Sequence, residues 1–185
     1  MAQVDLSCYQ NPEFERGGSV WKEMLWILCS HLFFQHNLAV WNQLKIWLLR
    51  RFGAQLGKGV LIKPNVQIKF PWKLRIGNHV WIGEHVWIDN LDFVHIGDHV
   101  CISQGALLLC GNHNYKSATF KLMTQPIHLE NGVWIGAKAI VCPGVHCGSH
   151  AVLGVSAVAV NNLEKYMIYQ GNPAQAIRIR VLNSK

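Results

Sequence analysis

From Leu56 onward an aliphatic residue returns at every sixth position, and few chain paths accommodate that interval. The starts run Leu56, Ile62, Ile68; then, after a step of eight, Ile76, Ile82, Ile88; then, after another eight, Ile96, Ile102, Leu108. After an interruption the period resumes at Leu129, Ile135, Val141, Cys147, Leu153 and Ala159. Thirteen of these fifteen starts are Leu, Ile or Val, and seven are followed by Gly. The position four after the start is small or β-branched in most steps: Val60, Val66, Val80, Val86, Val100, Ala106, Val133, Ala139, Val145, Ala151 and Ala157. Neither a helical period of 3.6 nor two-residue alternation produces a six. A step holding one short strand and one turn makes a wall of a prism, and three steps return the chain to its first edge one strand spacing higher. The spacing therefore predicts an all-β solenoid with an aliphatic core, the start residues pointing inward. Fifteen starts predict five coils, about 24 Å tall at about 4.8 Å per coil. An ordinary β-sandwich does not require such a register. Handedness does not follow from spacing.

The period lapses between Leu108 and Leu129, so a loop over residues 110–128 leaves the prism. Long excursions from a regular stack commonly carry function. At its root lies His113, flanked by Asn112, Asn114 and Tyr115. An imidazole exchanges protons readily near neutral pH and can activate a hydroxyl; as one of ten histidines, it also reads as a plain surface residue. Cys110, three residues earlier, offers a rival Cys/His nucleophilic pair or simply a thiol packed at a corner.

Residues 1–55 form an N-terminal helical segment in this reading, residues 56–180 the β-solenoid, and residues 181–185 a tail. Two amphipathic helices are expected over residues 19–34 and 38–52, with Asn37 as N-cap of the second and Gly53 at its end. Trp21, Trp26, Trp41 and Trp47 fall here. They suit either a lid over the open end of the prism or, with Lys45, Arg50 and Arg51, an element lying on a membrane surface.

With 50% hydrophobic and 15% charged residues the chain is neither disordered nor a coiled coil. A formal charge of +7 favours anionic partners. The basic residues are scattered, which argues against nucleic acid and for anionic small molecules or a membrane surface. No leader, no Cys-x-x-Cys pair among six cysteines and no long apolar run point to a cytoplasmic protein with reduced thiols, peripheral to the membrane at most.

The hexads resemble those of the hexapeptide-repeat acyltransferases, over residues 56–180. Gly111-Asn112-His113-Asn114-Tyr115 is similar to the family's histidine-bearing loop. Pro126-Ile127, Val133-Trp134-Ile135-Gly136, Pro143-Gly144-Val145 and the closing Gly171-Asn172-Pro173-Ala174 follow in the family's order. Phe70-Pro71-Trp72 and Ile102-Ser103-Gln104-Gly105-Ala106 are close to the wording of its polysaccharide O-acetyltransferases. The resemblance implies a left-handed parallel β-helix, an exception to the usual crossover hand. It also implies a bacterial enzyme that passes acetyl from acetyl-CoA directly to a saccharide hydroxyl, with His113 as general base and no metal. Gly136, Ala137, Gly154 and Val155 match the family's CoA stretch, with Trp134 as a wall of that groove or as packing between subunits. Arg178, with Arg180 nearby, matches a cation for the nucleotide phosphates. Val160-Asn161-Asn162 stands where relatives carry Thr-Lys-Asp, leaving Asn161 as a hydrogen-bonding group and Lys165 as a substitute cation. Asn90 reads as a contact to the acceptor sugar or as a turn former, and Asn112 and Tyr115 join it on the acceptor side. Asn114 replaces a common Asp, so a backbone carbonyl or another carboxylate must orient His113. The family also implies a homotrimer with sites between prisms.

Two other classes compete. Some prism-shaped relatives are zinc enzymes of the γ-carbonic anhydrase kind. His79 and His99 share one repeat position and should stack, with His85 on the next wall and His150 higher up, yet three imidazoles must converge on one ion. A non-catalytic scaffold is the third class.

Overall fold

The structure, a computed structural model, describes residues 3–35 and 41–183. The chain winds a three-walled parallel β-solenoid. The first wall stacks Gln55–Leu56, Leu74–Ile76, Val94–Ile96, Ile127–Leu129 and His146–Cys147. Leu61–Ile62, Trp81–Ile82, Cys101–Ile102, Trp134–Ile135 and Val152–Leu153 lie on the second wall, and Gln67–Ile68, Trp87–Asp89, Leu107–Leu109, Ile140–Val141 and Val158–Ala159 on the third. All fifteen predicted starts stack in register; Ile62, Ile82, Ile102, Ile135 and Leu153, for example, form one column. Fourteen of them are buried and Leu56, in the lowest coil, is half-buried. The residues four positions later are buried at the corners, as their small size demands.

The turns follow one rule as well. The third residue after a start has positive φ in coil after coil: Gly59, Asn65, His79, His85, His99, Gly105, Gly132, Lys138, Gly144, His150 and Ser156. Left-handed backbone is uncommon outside Gly, with Asn and His among the residues enriched there. Four of the ten histidines are therefore turn residues, and the predicted stack of His79 on His99 is present, at 5.2 Å between ring centroids.

The stack is taller than five coils. Leu163 bridges Cys147, and Met167–Gln170 adds a parallel strand above Val152–Leu153, placing Tyr169 over Leu153. Leu163 and Tyr169 are buried, so the structure has about six turns. The repeat was hidden because Leu163 arrives four residues after Ala159 and its partner rung is aromatic. Gln175–Ile179 folds back antiparallel on Met167–Gln170 and ends the second wall.

At the other end sit α1 (Val20–Phe33) and α2 (Asn42–Arg51). Ser19 caps α1 by accepting from the Lys22 backbone N–H. The expected cap Asn37 lies outside the described residues, and Trp41 precedes α2 without a side-chain cap bond. Gly53, at φ +102, carries the chain out of α2. The two helices act as a lid whose side chains satisfy the open strand edges on all three walls. Arg50 donates to the carbonyls of Leu56 and Gly57. Asn42 donates to Val60 and accepts from Ile62, and buried Lys45 reaches the Ile62 and Lys63 carbonyls at 3.4 and 3.1 Å. Trp26 Nε1 donates to Ile68 O at 2.8 Å. Lys45 is thus a structural cation, which corrects its expected place at a membrane surface. Amphipathic α1 is corrected too: the side of the helix turned away from the prism is also apolar.

Candidate active site

Both eight-residue steps and the loop leave the third wall for the first, so every insertion falls on one edge of the prism. The loop is a β-hairpin in which Gly111–His113 pairs with Leu122–Thr124. The segment preceding α1 climbs alongside it. Asp5 N–H donates to Ala118 O, Glu13 pairs with Lys121 at 2.7 Å, Trp72 Nε1 donates to Arg16 O, and Lys73 Nζ donates to Glu15 O and Leu91 O, both at 2.6 Å. Burial pushes the Lys73 ammonium below its usual range, while nearby Asp92 counters this. Between segment, corner and hairpin lies a cleft of about 350 Å³, lined by Tyr9, Asn11, Phe14, Arg16, Lys69, Phe70, Leu91, His113 and Leu122.

His113 is half-buried here. Its Nδ1 lies 2.8 Å from the Phe120 carbonyl oxygen and its ring stacks on the Phe120 ring at 4.4 Å, with Tyr9 at 6.1 Å. A carbonyl only accepts hydrogen bonds, so Nδ1 is the protonated nitrogen and the neutral ring keeps its lone pair on Nε2. The orienting group is thus a backbone carbonyl. Asn114 instead accepts from the Lys116 N–H in a local turn. Asn112 is exposed and accepts from the His113 N–H; Tyr115 projects into solvent at the hairpin tip.

Asn90 is not at the surface. It is 0% exposed; its amide accepts from the N–H groups of Lys69 and Phe70 and donates to Phe70 O at 2.6 Å. The expected sugar contact is corrected to a staple between coils, the turn-forming alternative. One coil higher, Cys110 is equally buried, and that burial, with the carboxylates of Asp92 and Asp89 nearby, pushes its thiol up to about 12. A thiol in that state carries almost no thiolate at neutral pH. Cys110→Ala is expected to keep turnover within about twofold of wild type and to lower stability by about 1 kcal/mol, read by steady-state rates and urea unfolding. Lost turnover in this variant alongside retained turnover in His113→Ala would reverse the assignment.

The sequence-predicted CoA residues occupy a different edge. Gly136, Ala137, Gly154 and Val155 form the corner between second and third walls. A Cβ at Gly136 would sit 2.7 Å from backbone atoms of Gly154 and Val155, so side chains are excluded by the coil above. The result is a flat ledge with Val155 exposed. Trp134 stands on the adjoining wall, half-exposed, its Nε1 donating to Ser103 Oγ at 2.9 Å. Arg178 is exposed on the closing strand. Arg180 is turned inward, donating to Gly132 O and His150 O at the corner between first and second walls. That engagement corrects its expected role as an open phosphate cation. Asn161 and Lys165 are exposed beyond the last hexad.

Sequence reasoning missed the N-terminal contribution of Tyr9, Asn11 and Arg16, although the eight-residue steps already pointed at this edge. It also missed a ladder on the first wall, where His95 stacks on His128 at 4.7 Å and His146 bonds Glu130 at 2.7 Å. Among the described residues no group of three or more His, Cys, Asp or Glu is placed to hold a metal ion.

A repeat solenoid interrupted by a histidine-bearing hairpin defines the hexapeptide-repeat class of acyltransferases. No family model matches the chain. It is 36% identical over 177 residues to the protein of Escherichia coli (strain K12) named as a colanic acid biosynthesis acetyltransferase, WcaF, across 96% of this chain and 97% of that one. It is 25% identical over 134 residues to the galactoside O-acetyltransferase of the same organism, across 71% and 66%. Among solved structures, a hexapeptide-repeat-containing acetyltransferase of Vibrio cholerae complexed with acetyl coenzyme A superposes with a TM-score of 0.78 at 23% identity, covering 95% of this chain and 97% of that one. That likeness shows the fold, the left-handed parallel β-helix. The chain belongs to the WcaF family of hexapeptide-repeat acetyltransferases and is an acyltransferase.

Proposed function

We propose that this protein transfers acetyl from acetyl-CoA to a hydroxyl of a saccharide in polysaccharide biosynthesis, with His113 as general base. The observation that carries the reading is the bond between His113 Nδ1 and Phe120 O. It fixes the tautomer that leaves Nε2 basic, on a ring that borders the cleft. The acceptor oxygen attacks the thioester carbonyl while Nε2 takes its proton. The tetrahedral oxyanion is stabilised by backbone N–H groups of the turns. Its collapse expels the CoA thiolate, which recovers the proton from the imidazolium. No acyl-enzyme forms. Asn112 and Tyr115 serve the acceptor side.

The ledge fits the donor. An extended pantetheine arm needs a path free of side chains along exposed backbone, and Gly136 and Gly154 keep that corner bare. Trp134 walls the path, and Arg178, Asn161 and Lys165 supply polar and cationic groups for the nucleotide end. A galactoside acetyltransferase solved in complex with coenzyme A has the same fold, at a TM-score of 0.78 and 21% identity.

His113 and the ledge lie on different edges of one prism, separated by the width of the third wall. A single chain therefore does not bring them together, which supports a homotrimer with each site between two copies. Sedimentation should find a trimer; a fully active monomer would overturn this arrangement. Use of acetyl-CoA as donor supports a cytoplasmic reaction, and contact with the inner face of the membrane belongs to this same reading. The deciding assay incubates the protein with acetyl-CoA and a panel of saccharides and follows thiol release. Acceptor-dependent release, lost in His113→Ala, is expected; no release with any saccharide would overturn the reading.

A further inference from the structure

The solvent side of α1 has no polar face. Its eight exposed residues are Val20, Trp21, Met24, Leu25, Ile27, Leu28, His31 and Leu32, and seven of them are apolar. The buried side, centred on Trp26 and Ser30, already packs on the prism. A helix that carries apolar side chains on its solvent side as well as its buried side is normally enclosed by protein or lipid. Trp41 is 83% exposed and Trp47 56% exposed beside it, Trp47 with the Arg51 guanidinium 6.0 Å from its ring.

Charge identifies what covers this end. Between Met24 and Gly83 the sequence holds eight Lys and Arg and no Asp or Glu. Lys45 and Lys73 are buried, whereas Arg50, Arg51, Lys58, Lys63, Lys69 and Arg75 are exposed on the helices and lower coils. Glu23, the acidic residue of α1, is held by Arg16 at 2.8 Å. Lys69 pairs with Asp89 at 3.4 Å, but the cations outnumber the carboxylates here. Exposed tryptophans and aliphatics ringed by net positive charge match an anionic bilayer, whose headgroups attract the cations while the apolar side chains enter the interface. A second copy of this chain would bring the same positive rim against itself. No helix among the described residues is long and apolar enough to cross a membrane.

We propose that α1, with Trp47 and Arg51 of α2, docks this protein on an anionic lipid surface and holds the His113 cleft beside it. Lys69 lines both the cleft at His113 and the crevice beneath α1, and Arg16 joins that cleft to Glu23. The root of the His113 hairpin is two coils above the lowest third-wall strand, about 10 Å, and the breadth of α1 adds about 10 Å between that strand and the lipid. A saccharide of a few residues carried on a lipid phosphate spans that height. Resting on the acetyl-transfer reading, the docking makes a lipid-carried saccharide the acceptor class.

The test is flotation of the full chain with vesicles of phosphatidylcholine containing about 30 mol% phosphatidylglycerol. Wild type is expected to float with them and to bind pure phosphatidylcholine more weakly. The double variant Trp21→Glu/Leu28→Glu should lose at least about tenfold in partitioning, with unchanged melting and unchanged acetyl-CoA affinity. Equal flotation of wild type and variant overturns the proposal. So does wild type that stays off the vesicles while light scattering shows a larger oligomer that the variant abolishes, because a second copy then covers the face. Saccharides that prove to be acceptors are then offered free and on a lipid anchor in the vesicles. The anchored form should react at least about tenfold faster with wild type than with the variant, and the free form equally with both. Vesicle binding without this rate difference overturns the acceptor class and keeps the docking. Vesicle binding without transfer to any saccharide overturns the acetyl-transfer reading instead.

Discussion

Replacing His113 with alanine is expected to lower kcat by about 10²- to 10⁴-fold, the range for removing a general base. KM for acetyl-CoA should change little, because the imidazole takes the acceptor's proton and holds neither the pantetheine arm nor the nucleotide end. His113→Asn is the sharper variant. Its amide can still donate to the Phe120 carbonyl, as Nδ1 does at 2.8 Å, but it cannot accept a proton. If the imidazole acts as base, the asparagine variant is as slow as the alanine variant. If His113 only positions the hairpin, asparagine restores much of the rate, and the proposed chemistry fails. Steady-state kinetics with saturating acetyl-CoA and a saccharide acceptor decides between the two.

The prism was legible because one steric problem repeats. Each coil must bury one apolar residue per wall and turn a tight corner, and the chain solves it with Leu, Ile or Val at thirteen of fifteen starts. Register, inward direction and small corner residues followed from counting. The left-handed turn position could have been read too, since His79, His85, His99 and His150 share it with glycines and Asn65. What counting missed lies where the repeat loses its period or its chemistry: Leu163 after a short step, Tyr169 in place of an aliphatic rung, and α1, whose exposed apolar side reads as core to any pattern that expects a polar face.

The site was legible only in part, for a different reason. His113 announced itself through the interruption around it. Its orienting partner is a main-chain oxygen of Phe120, which leaves no side-chain trace in the sequence. Asn90 carried the right chemistry for a sugar but also the right geometry for a corner, and the 20-residue offset from Phe70 decides for the corner. Arg180 resembled a phosphate ligand in position, yet two carbonyls freed by the turns at Gly132 and His150 claim it. In both cases unsatisfied backbone groups in a tightly stacked fold outcompete an external ligand.

The same stacking makes glycine substitutions unequal in a way that bears on the proposed donor ledge. At Gly136 a methyl group would stand 2.7 Å from Gly154 C and Val155 N and 2.8 Å from Leu153 O, all main-chain atoms that cannot rotate aside. At Gly105 the neighbour met is the flexible Lys138 Cγ at 3.4 Å, and the only penalty is the positive φ of +68°. Gly136→Ala is therefore expected to cost about 3 kcal/mol through overpacking, and Gly105→Ala about 1 kcal/mol through backbone strain. At roughly 2–4 °C per kcal/mol for a chain of this size, the first should melt at least about 6 °C lower and the second about 3 °C lower. Gly105→Asn should recover part of that smaller loss, since Asn65 holds the same conformation. Gly136→Ala should also weaken acetyl-CoA binding, because the coils can accept the methyl only by parting at the ledge. Equal losses at the two positions would mean that the coils slide apart freely, and a corner that slides cannot hold an extended arm in one place.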